Sequence, residues 1–237
     1  MARLCMCVNQ IAKLRNLNKS RVPDPVSVAI AAELGGIDGI VVQLRDDRVD
    51  ITDRDVTVLK EVVQSHLNLA IPLKDEMVKK ALKWLPDMVT LLSASQENNL
   101  NISLDVASNL EFIEDVAAAL RANNIVVNVL IDADPHQVRA AARAGVDYIH
   151  LNSNPVSTVE DLGSMNDIVE RLRSHTVAAN KLGLGVSAGR GLTTQNIREI
   201  ADINFVEELN VGRALVSRSI LVGVEKAVEQ MKFFLKG

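Results

Sequence analysis

The feature that most constrains the fold of this chain is a regular alternation of short apolar segments with longer amphipathic ones. The pattern repeats eight times along 237 residues, without a linker or a shift in composition. Such repeats are typical of parallel strands joined by helical crossovers. Eight units most simply close into a (β/α)8 barrel, so we predict a single α/β TIM-barrel domain over residues 1–237. A doubly wound open sheet is the alternative, weakened because no GxGxxG turn follows the first strand.

The periodicity also predicts where each element lies. The predicted strands are Leu4–Val8, Gly39–Gln43, Leu67–Ile71, Met88–Leu92, Ile125–Ile131, Tyr148–Leu151, Gly185–Ser187 and Glu208–Val211. The predicted helices are Pro25–Leu34, Asp53–Val63, Asp75–Leu85, Leu110–Ala122, His136–Ala144, a long stretch ending near Leu182, Thr193–Ile200 and a last helix ending near Phe234. Asp24 before proline is typical of a helix start, whereas Gly145 and Gly183 are typical of left-handed helix ends. The segment Ser93–Ser108 shows no clear pattern and should lie on the functional face of the barrel.

Charge and composition exclude several classes of protein. The 26 Lys and Arg residues are outnumbered by 30 Asp and Glu, which argues against the basic face of a nucleic-acid or membrane-surface protein. One Trp and one Tyr leave few platforms for stacking bases. No apolar run reaches the ~18 residues of a membrane span, and the N-terminus does not resemble a signal peptide. We therefore predict a cytoplasmic protein without a nucleic-acid or membrane partner.

The two cysteines do not predict a disulfide or a metal site. Cys5 and Cys7 lie two apart in the first strand, where parallel side chains suit a disulfide poorly. Two thiols without nearby histidines are also too few for zinc. We expect reduced core residues, and we predict neither a metal nor a cofactor for this chain.

The last two strand-to-helix turns are the most informative about function. Each carries a glycine beside an arginine: Arg190 and Gly191 in the first turn, Gly212 and Arg213 in the second. Glycine lets the backbone approach a ligand closely, and the free N–H groups at a helix start suit an anion. In α/β barrels this quadrant is the usual phosphate site. The alternative is two turns that merely connect strands to helices.

Six segments together resemble the successive signatures of one family, the pyridoxine 5'-phosphate synthases. They are VNQIAKLRN (8–16), PDPV (23–26), QLRDDRVDITDRDV (43–56), IDAD (131–134), AGRGLT (188–193) and ELNVGRA (208–214). The resemblance implies condensation of 3-amino-2-oxopropyl phosphate with 1-deoxy-D-xylulose 5-phosphate, which releases inorganic phosphate and closes a pyridine ring. It also implies a homo-oligomer, an octamer in well-described members.

Residues that bind substrate in the family are partly retained here. By resemblance, Asn9 matches a substrate-contacting asparagine at the end of the first strand, and Arg45 matches the arginine that contacts deoxyxylulose phosphate. Gly191 and Gly212 match the glycines whose backbone receives the amino-ketone phosphate. These matches agree with the phosphate site inferred from the two glycine turns.

Residues that transfer protons in the family are replaced here. Gln43 stands for a histidine base, Ala70 for a glutamate and Arg190 for a histidine donor, and none of these side chains can exchange a proton near neutral pH. Further replacements are Gln10-Ile11 for an Asp-His pair with about two residues deleted, Asp50 for a substrate-binding histidine, Asn18 beside Lys19 for an arginine, and Arg213 for a histidine. General acid–base groups typically contribute about 10²–10⁴ each to rate, so the parental chemistry is hard to sustain.

One replacement introduces a side chain that can exchange a proton near neutral pH. His150 falls where the family has a glutamate assigned to transition-state stabilisation, near the end of the sixth strand. An unperturbed histidine pKa of about 6.5 would suit proton transfer, so His150 is the candidate catalytic residue. The alternative is a histidine that hydrogen-bonds inside the barrel or contacts ligand without chemistry.

Three hypotheses follow. In the first, a diverged family member binds a phosphorylated or anionic small molecule, and the parental reaction is lost or replaced. In the second, the chain is an active pyridoxine 5'-phosphate synthase that uses unconventional residues. In the third, it is a regulatory or structural barrel with an empty site. The first is preferred because Arg45 and the glycine turns are kept while the proton-transfer groups are not; if the chain is an enzyme, it should be a transferase-type synthase acting on phosphorylated compounds.

Overall fold

A computed structural model describes residues 2–17, 19–94, 96–97, 100–101, 103–159 and 161–236. Eight parallel strands close into a barrel, because the last strand pairs with the first through Arg3 opposite Glu208. This closure confirms the TIM barrel and excludes the open sheet. The strands are β1 (Arg3–Cys7), β2 (Gly39–Gln43), β3 (Leu67–Pro72), β4 (Met88–Leu92), β5 (Val126–Ile131), β6 (Tyr148–Asn152), β7 (Gly185–Gly189) and β8 (Val206–Val211).

Helices surround the barrel and connect its strands. They are α1 (Asn9–Leu17), α2 (Pro25–Leu34), α3 (Asp53–Val62), α4 (Asp75–Trp84), α5 (Leu110–Arg121), α6 (Pro135–Arg143), α7 (Leu162–Lys181), α8 (Ile197–Ala201), α9 (Arg213–Val222) and α10 (Val224–Lys236). In the described part of the chain, no helix has the length and apolarity that a membrane crossing requires. The core lies between barrel and helices, where outward strand residues such as Leu4, Ile40 and Leu69 are fully buried.

The starts and ends of the helices lie largely where the sequence predicts them. The Asp24 carboxylate accepts a hydrogen bond from the Val26 amide at 3.1 Å and caps α2. Gly145 and Gly183 adopt positive φ angles of 70° and 80° after their helices. The predicted last helix is instead divided at Gly223, whose φ is 85°.

Three expectations need correction. The predicted helix at Thr193 begins later, at Ile197, because the Asn196 side chain binds the Thr193 amide at 2.7 Å and holds a turn there. Cys7 is not a core residue, since its side chain lines a cavity at the barrel mouth, although Cys5 is buried and both are free thiols. The patternless segment after β4 contains a short antiparallel pair, 96–97 with 100–101, and a 3₁₀ turn at 107–109.

Helix α1 follows β1 directly and was not predicted. Its Arg15 donates two hydrogen bonds of 2.8 Å to the carboxylate of Asp55, and both side chains are buried. Asp55 also accepts a 2.9 Å bond from the Thr52 amide, completing a capping box at the start of α3. The buried ion pair thus fixes α1 against the first turn of α3, and α1 contributes Lys13 to the cavity.

Candidate active site

A cavity of about 790 Å³ opens where the strands of the barrel end. Its walls include the last residues of four strands: Cys7 of β1, Gln43 of β2, Leu92 of β4 and Asn152 of β6. The turns after β7 and β8 close the other side. This is the end of a (β/α)8 barrel at which ligands bind.

The charged residues on the cavity wall are cationic. Lys13, Arg45, Arg190 and Arg213 line it, and no carboxylate does so among the described lining residues. Arg45 is oriented by Asp47, whose carboxylate accepts hydrogen bonds of 3.0 Å from Nε and 2.7 Å from Nη2. This pairing raises the pKa of Arg45. The arrangement favours an anionic ligand, because arginine side chains match the oxygens of phosphate and carboxylate groups.

The turn after β7 is strained and tightly packed. Arg190 and Gly191 have consecutive positive φ angles of 73° and 68°, a conformation that is costly for arginine. A side chain on Gly191 would place its Cβ 2.4 Å from Ser157 Oγ, so packing as well as backbone conformation requires glycine. The Ser153 hydroxyl donates to the Arg190 carbonyl at 2.7 Å and supports the turn. Burial lowers the pKa of Arg190, but a guanidinium remains charged in proteins.

The turn after β8 presents the start of a helix. Gly212 is the N-cap of α9 and supplies no side-chain cap, so the first amides of this 10-residue helix are available to a ligand. A Cβ on Gly212 would lie 3.0 Å from Gln10 Oε1, a buried oxygen without a hydrogen-bond partner in the described part of the chain. Two glycine turns therefore line the cavity, each beside its arginine.

His150 lies at the cavity floor and is almost fully buried. Its Nδ1 is 2.8 Å from Ser187 Oγ and 3.5 Å from Asn210 Nδ2. Burial, reinforced by the charge of Arg190, lowers the pKa of His150 to about 3. The imidazole therefore points into the barrel but is neutral, and the ordinary pKa that made it a candidate base does not apply to this environment.

Comparisons with known proteins identify the family. A family profile described as "Pyridoxal phosphate biosynthesis protein PdxJ" matches residues 4–237. The pyridoxine 5'-phosphate synthase of Geotalea uraniireducens (strain Rf4) is 38% identical over 237 residues, which cover 100% of this chain and 99% of that protein. The chain belongs to the PdxJ family. The synthase of Synechococcus sp. (strain JA-2-3B'a(2-13)) is 39% identical over 233 residues, or 98% of each chain.

Solved structures support the fold. The crystal structure of KGPDC from Streptococcus mutans has a TM-score of 0.67 at 11% identity, covering 100% of this chain and 98% of that one. Phosphoribosylanthranilate isomerase monomers from Thermotoga maritima give 0.62 at 13% identity, with 100% of each chain covered. At such low identity these likenesses show the barrel alone.

The positions that bind substrate in the PdxJ family do not all line the cavity. Asn9 is the first residue of α1, and its carboxamide is used on the backbone of Gln43: Nδ2 donates to the carbonyl at 2.7 Å, and Oδ1 accepts from the amide at 2.8 Å. Asp50 is buried and does not line the cavity; it forms a 3.5 Å ion pair with Lys13, which does. Asn18 lies outside the described residues. The residues of this set that line the cavity are Asn9, Gln43, Arg45, Arg190, Gly191, Gly212 and Arg213.

Position 70, where the family resemblance implies a glutamate, lies on an apolar wall of the cavity. Ala70 packs with Leu92 and Leu130 in a small buried cluster that faces the cavity. His150 lies beside Leu130 on the neighbouring strand, and the cationic turns follow β7 and β8. The cavity can therefore hold a ligand with an anionic end and a less polar end, but its wall at Ala70 offers no group that could exchange a proton.

Sequence reasoning missed several lining residues. Lys13 lies four residues after Asn9 on the helix that was not predicted, so its position could not be recognised. Asn210 lies two residues before Gly212 on β8, and the period of a strand could have shown that both face the same side. Asn154 and Ser157 come from a 3₁₀ turn after β6 that carries no distinctive motif.

Proposed function

We propose that this PdxJ-family protein binds a phosphorylated or otherwise polyanionic small molecule in the barrel mouth, and that the parental ring closure is lost or replaced by another reaction. The observation that carries the proposal is the composition of the wall. Four cations line the cavity without a carboxylate among the described lining residues, and the last two turns offer glycine backbone beside two of those cations.

The parental chemistry requires groups that exchange protons near neutral pH. Among the described lining residues, the histidine is His150, whose pKa is lowered to about 3, and the thiol is Cys7, whose pKa is raised by burial. Gln43 and Ala70 offer no titratable atom. Because acid–base groups contribute about 10²–10⁴ each, ring closure at the parental rate would need proton transfer by another route.

The loss of the parental reaction is tested with both family substrates. Purified protein should form no pyridoxine 5'-phosphate from 3-amino-2-oxopropyl phosphate and 1-deoxy-D-xylulose 5-phosphate, and its expression should not restore growth of a strain unable to make the vitamin. A family member that retains its histidine and glutamate bases serves as the positive control. Rapid product formation or full rescue would favour the second hypothesis, an active synthase.

Anion binding is tested by calorimetry with inorganic phosphate. Arg190→Ala and Arg213→Ala should each weaken binding, and raising the salt concentration should weaken binding to wild type more than to either variant. Arg198→Ala, which removes a mostly exposed arginine on α8, is the matched control and should bind as wild type does. If both cavity variants keep wild-type affinity, the arginines do not contribute to the site.

A further inference from the structure

The His150 ring occupies a slot that the neighbouring strands leave open for it. A Cβ on Gly189 of β7 would lie 2.8 Å from both Cε1 and Nε2 of the ring, and 3.0 Å from Asn210 Cβ on β8. Any side chain at position 189 would therefore displace the imidazole. The ring orientation is set by packing, and only hydrogen bonding remains to decide which nitrogen carries the proton.

Both partners of Nδ1 can donate a hydrogen bond to it. Asn128 Nδ2 donates to Ser187 Oγ at 3.2 Å and uses a lone pair of that hydroxyl. The single hydroxyl proton of Ser187 then has two acceptors, His150 Nδ1 at 2.8 Å and the Ile149 carbonyl at 3.3 Å, of which the first is nearer. The Asn210 amide nitrogen, which can only donate, also faces Nδ1 at 3.5 Å.

An Nδ1 that accepts hydrogen bonds leaves the proton of the neutral ring on Nε2. Nε2 has no hydrogen-bond partner among the described residues, and His150 lines the cavity. The free N–H of the imidazole is therefore available to a ligand. Protonation of the ring is disfavoured by burial and by Arg190.

We propose that His150 is a neutral hydrogen-bond donor whose Nε2–H binds an oxygen on the carbon skeleton of the ligand, with Ser187 as its positioning residue. Gly189 and Asn210 are register partners beside the ring, and Gly191 and Gly212 follow each by two residues. Gly191 and Gly212 lie beyond the ends of β7 and β8, whereas His150 lies within β6 at the cavity floor, so a phosphate at the turns leaves His150 to contact a carbonyl or hydroxyl oxygen instead.

This role reverses the hydrogen-bond polarity that the family resemblance implies at position 150. A glutamate carboxylate accepts hydrogen bonds, whereas the imidazole Nε2–H donates one. The inference rests on the proposed anion site and adds one specific contact, between the Nε2–H of His150 and an acceptor oxygen of the ligand at the barrel floor.

The tautomer is tested without any ligand. Nitrogen–proton correlation spectra of ¹⁵N-histidine-labelled protein should show His150 at pH 7 as a neutral ring protonated at Nε2. Ser187→Ala removes the nearer donor and should shift the ring toward a mixture of tautomers. A ring protonated at Nδ1, or a charged ring at pH 7, would overturn the inference whatever the protein binds.

The contact is tested with two probes, inorganic phosphate and dihydroxyacetone phosphate. His150→Leu, which lacks a donor, should weaken dihydroxyacetone phosphate about three- to tenfold more than it weakens phosphate, the usual worth of one neutral hydrogen bond. His150→Gln, whose amide can place a donor near the position of Nε2, should recover most of this loss. Equal effects of both variants on both probes would refute the contact.

Different results would refute the anion site and the role of His150. If wild type binds neither probe, the anion site is wrong, and the tautomer measurement alone decides the state of His150. If phosphate binds to the cavity but His150→Leu does not discriminate between the probes, the anion site stands and the role of His150 is wrong. Should His150→Leu not fold, Ser187→Ala provides the second variant and should weaken dihydroxyacetone phosphate selectively.

Discussion

Mild acid should destabilise this protein because His150 is buried as a neutral ring. Burial, with a contribution from Arg190, lowers the pKa of His150 to about 3 from the ordinary histidine value of 6.5. Between these pH values the unfolded chain binds a proton that the folded barrel does not. The contribution of His150 to stability is therefore fully present above about pH 6.5, and it is lost as pH falls toward 3.

The magnitude follows from the two pKa values. One pKa unit corresponds to about 1.4 kcal/mol, so a change from pH 7 to pH 5, which crosses roughly 1.5 units of the window, should cost about 2 kcal/mol. The assay is denaturant unfolding of wild type and His150→Gln at both pH values, in phosphate-free buffer because a bound anion would stabilise the folded state. The glutamine variant should lose about 2 kcal/mol less than wild type does.

The comparison between wild type and His150→Gln cancels the contributions that the other titrating groups make to stability. His66, whose pKa is also lowered by burial, is present in both and cancels in the difference. His136→Gln replaces an exposed histidine and should follow wild type. A difference below about 0.5 kcal/mol between wild type and His150→Gln, with unchanged denaturant slopes, would mean that the folded barrel accepts the proton and that the neutral ring is wrong.

Three further predictions concern packing and assembly. Asp55→Ala should reduce the free energy of unfolding by about 3–5 kcal/mol because it leaves Arg15 buried and unpaired, whereas Arg54→Ala, at the exposed partner, should cost less than about 1 kcal/mol in the same denaturation assay. Gly189→Ala should displace the His150 ring and cost about 1–3 kcal/mol, and unchanged ring resonances in its spectra would contradict the slot. Light scattering should give a mass above that of a monomer, and a constant mass near 25.8 kDa at all concentrations would contradict the expected oligomer.

Much of the barrel could be predicted because burial and period are local signals. Gly39–Gln43 and Met88–Leu92 are almost wholly buried apolar runs, and their observed bounds are the predicted ones. Helix α1 could not be predicted in the same way. It is short, and its Arg15–Asp55 pair joins residues 40 positions apart. Short helices depend on such tertiary contacts, which a local pattern does not contain.

The arginines of the site were easier to predict than the state of its polar groups. Arg190 follows β7 directly and Arg213 begins α9 after Gly212, each beside a glycine, and both line the cavity. Asn9 lines the cavity, as a substrate contact would require, but its two amide atoms also bind the Gln43 backbone, a pairing that the sequence does not reveal. Resemblance transfers a residue type and a position, but the partners of a side chain depend on the packing around it.

The replacements at positions 150 and 190 illustrate why single positions mislead. Taken alone, His150 offers a base that titrates near neutral pH, and Arg190 is a lost proton donor. In the barrel the two are close enough for the guanidinium to oppose protonation of the imidazole. A charged histidine would be repelled by Arg190, whereas a neutral one can donate from Nε2 beside it. The two replacements are therefore consistent with the proposed function as a pair, because both supply hydrogen-bond donors that suit the recognition of ligand oxygens rather than proton exchange.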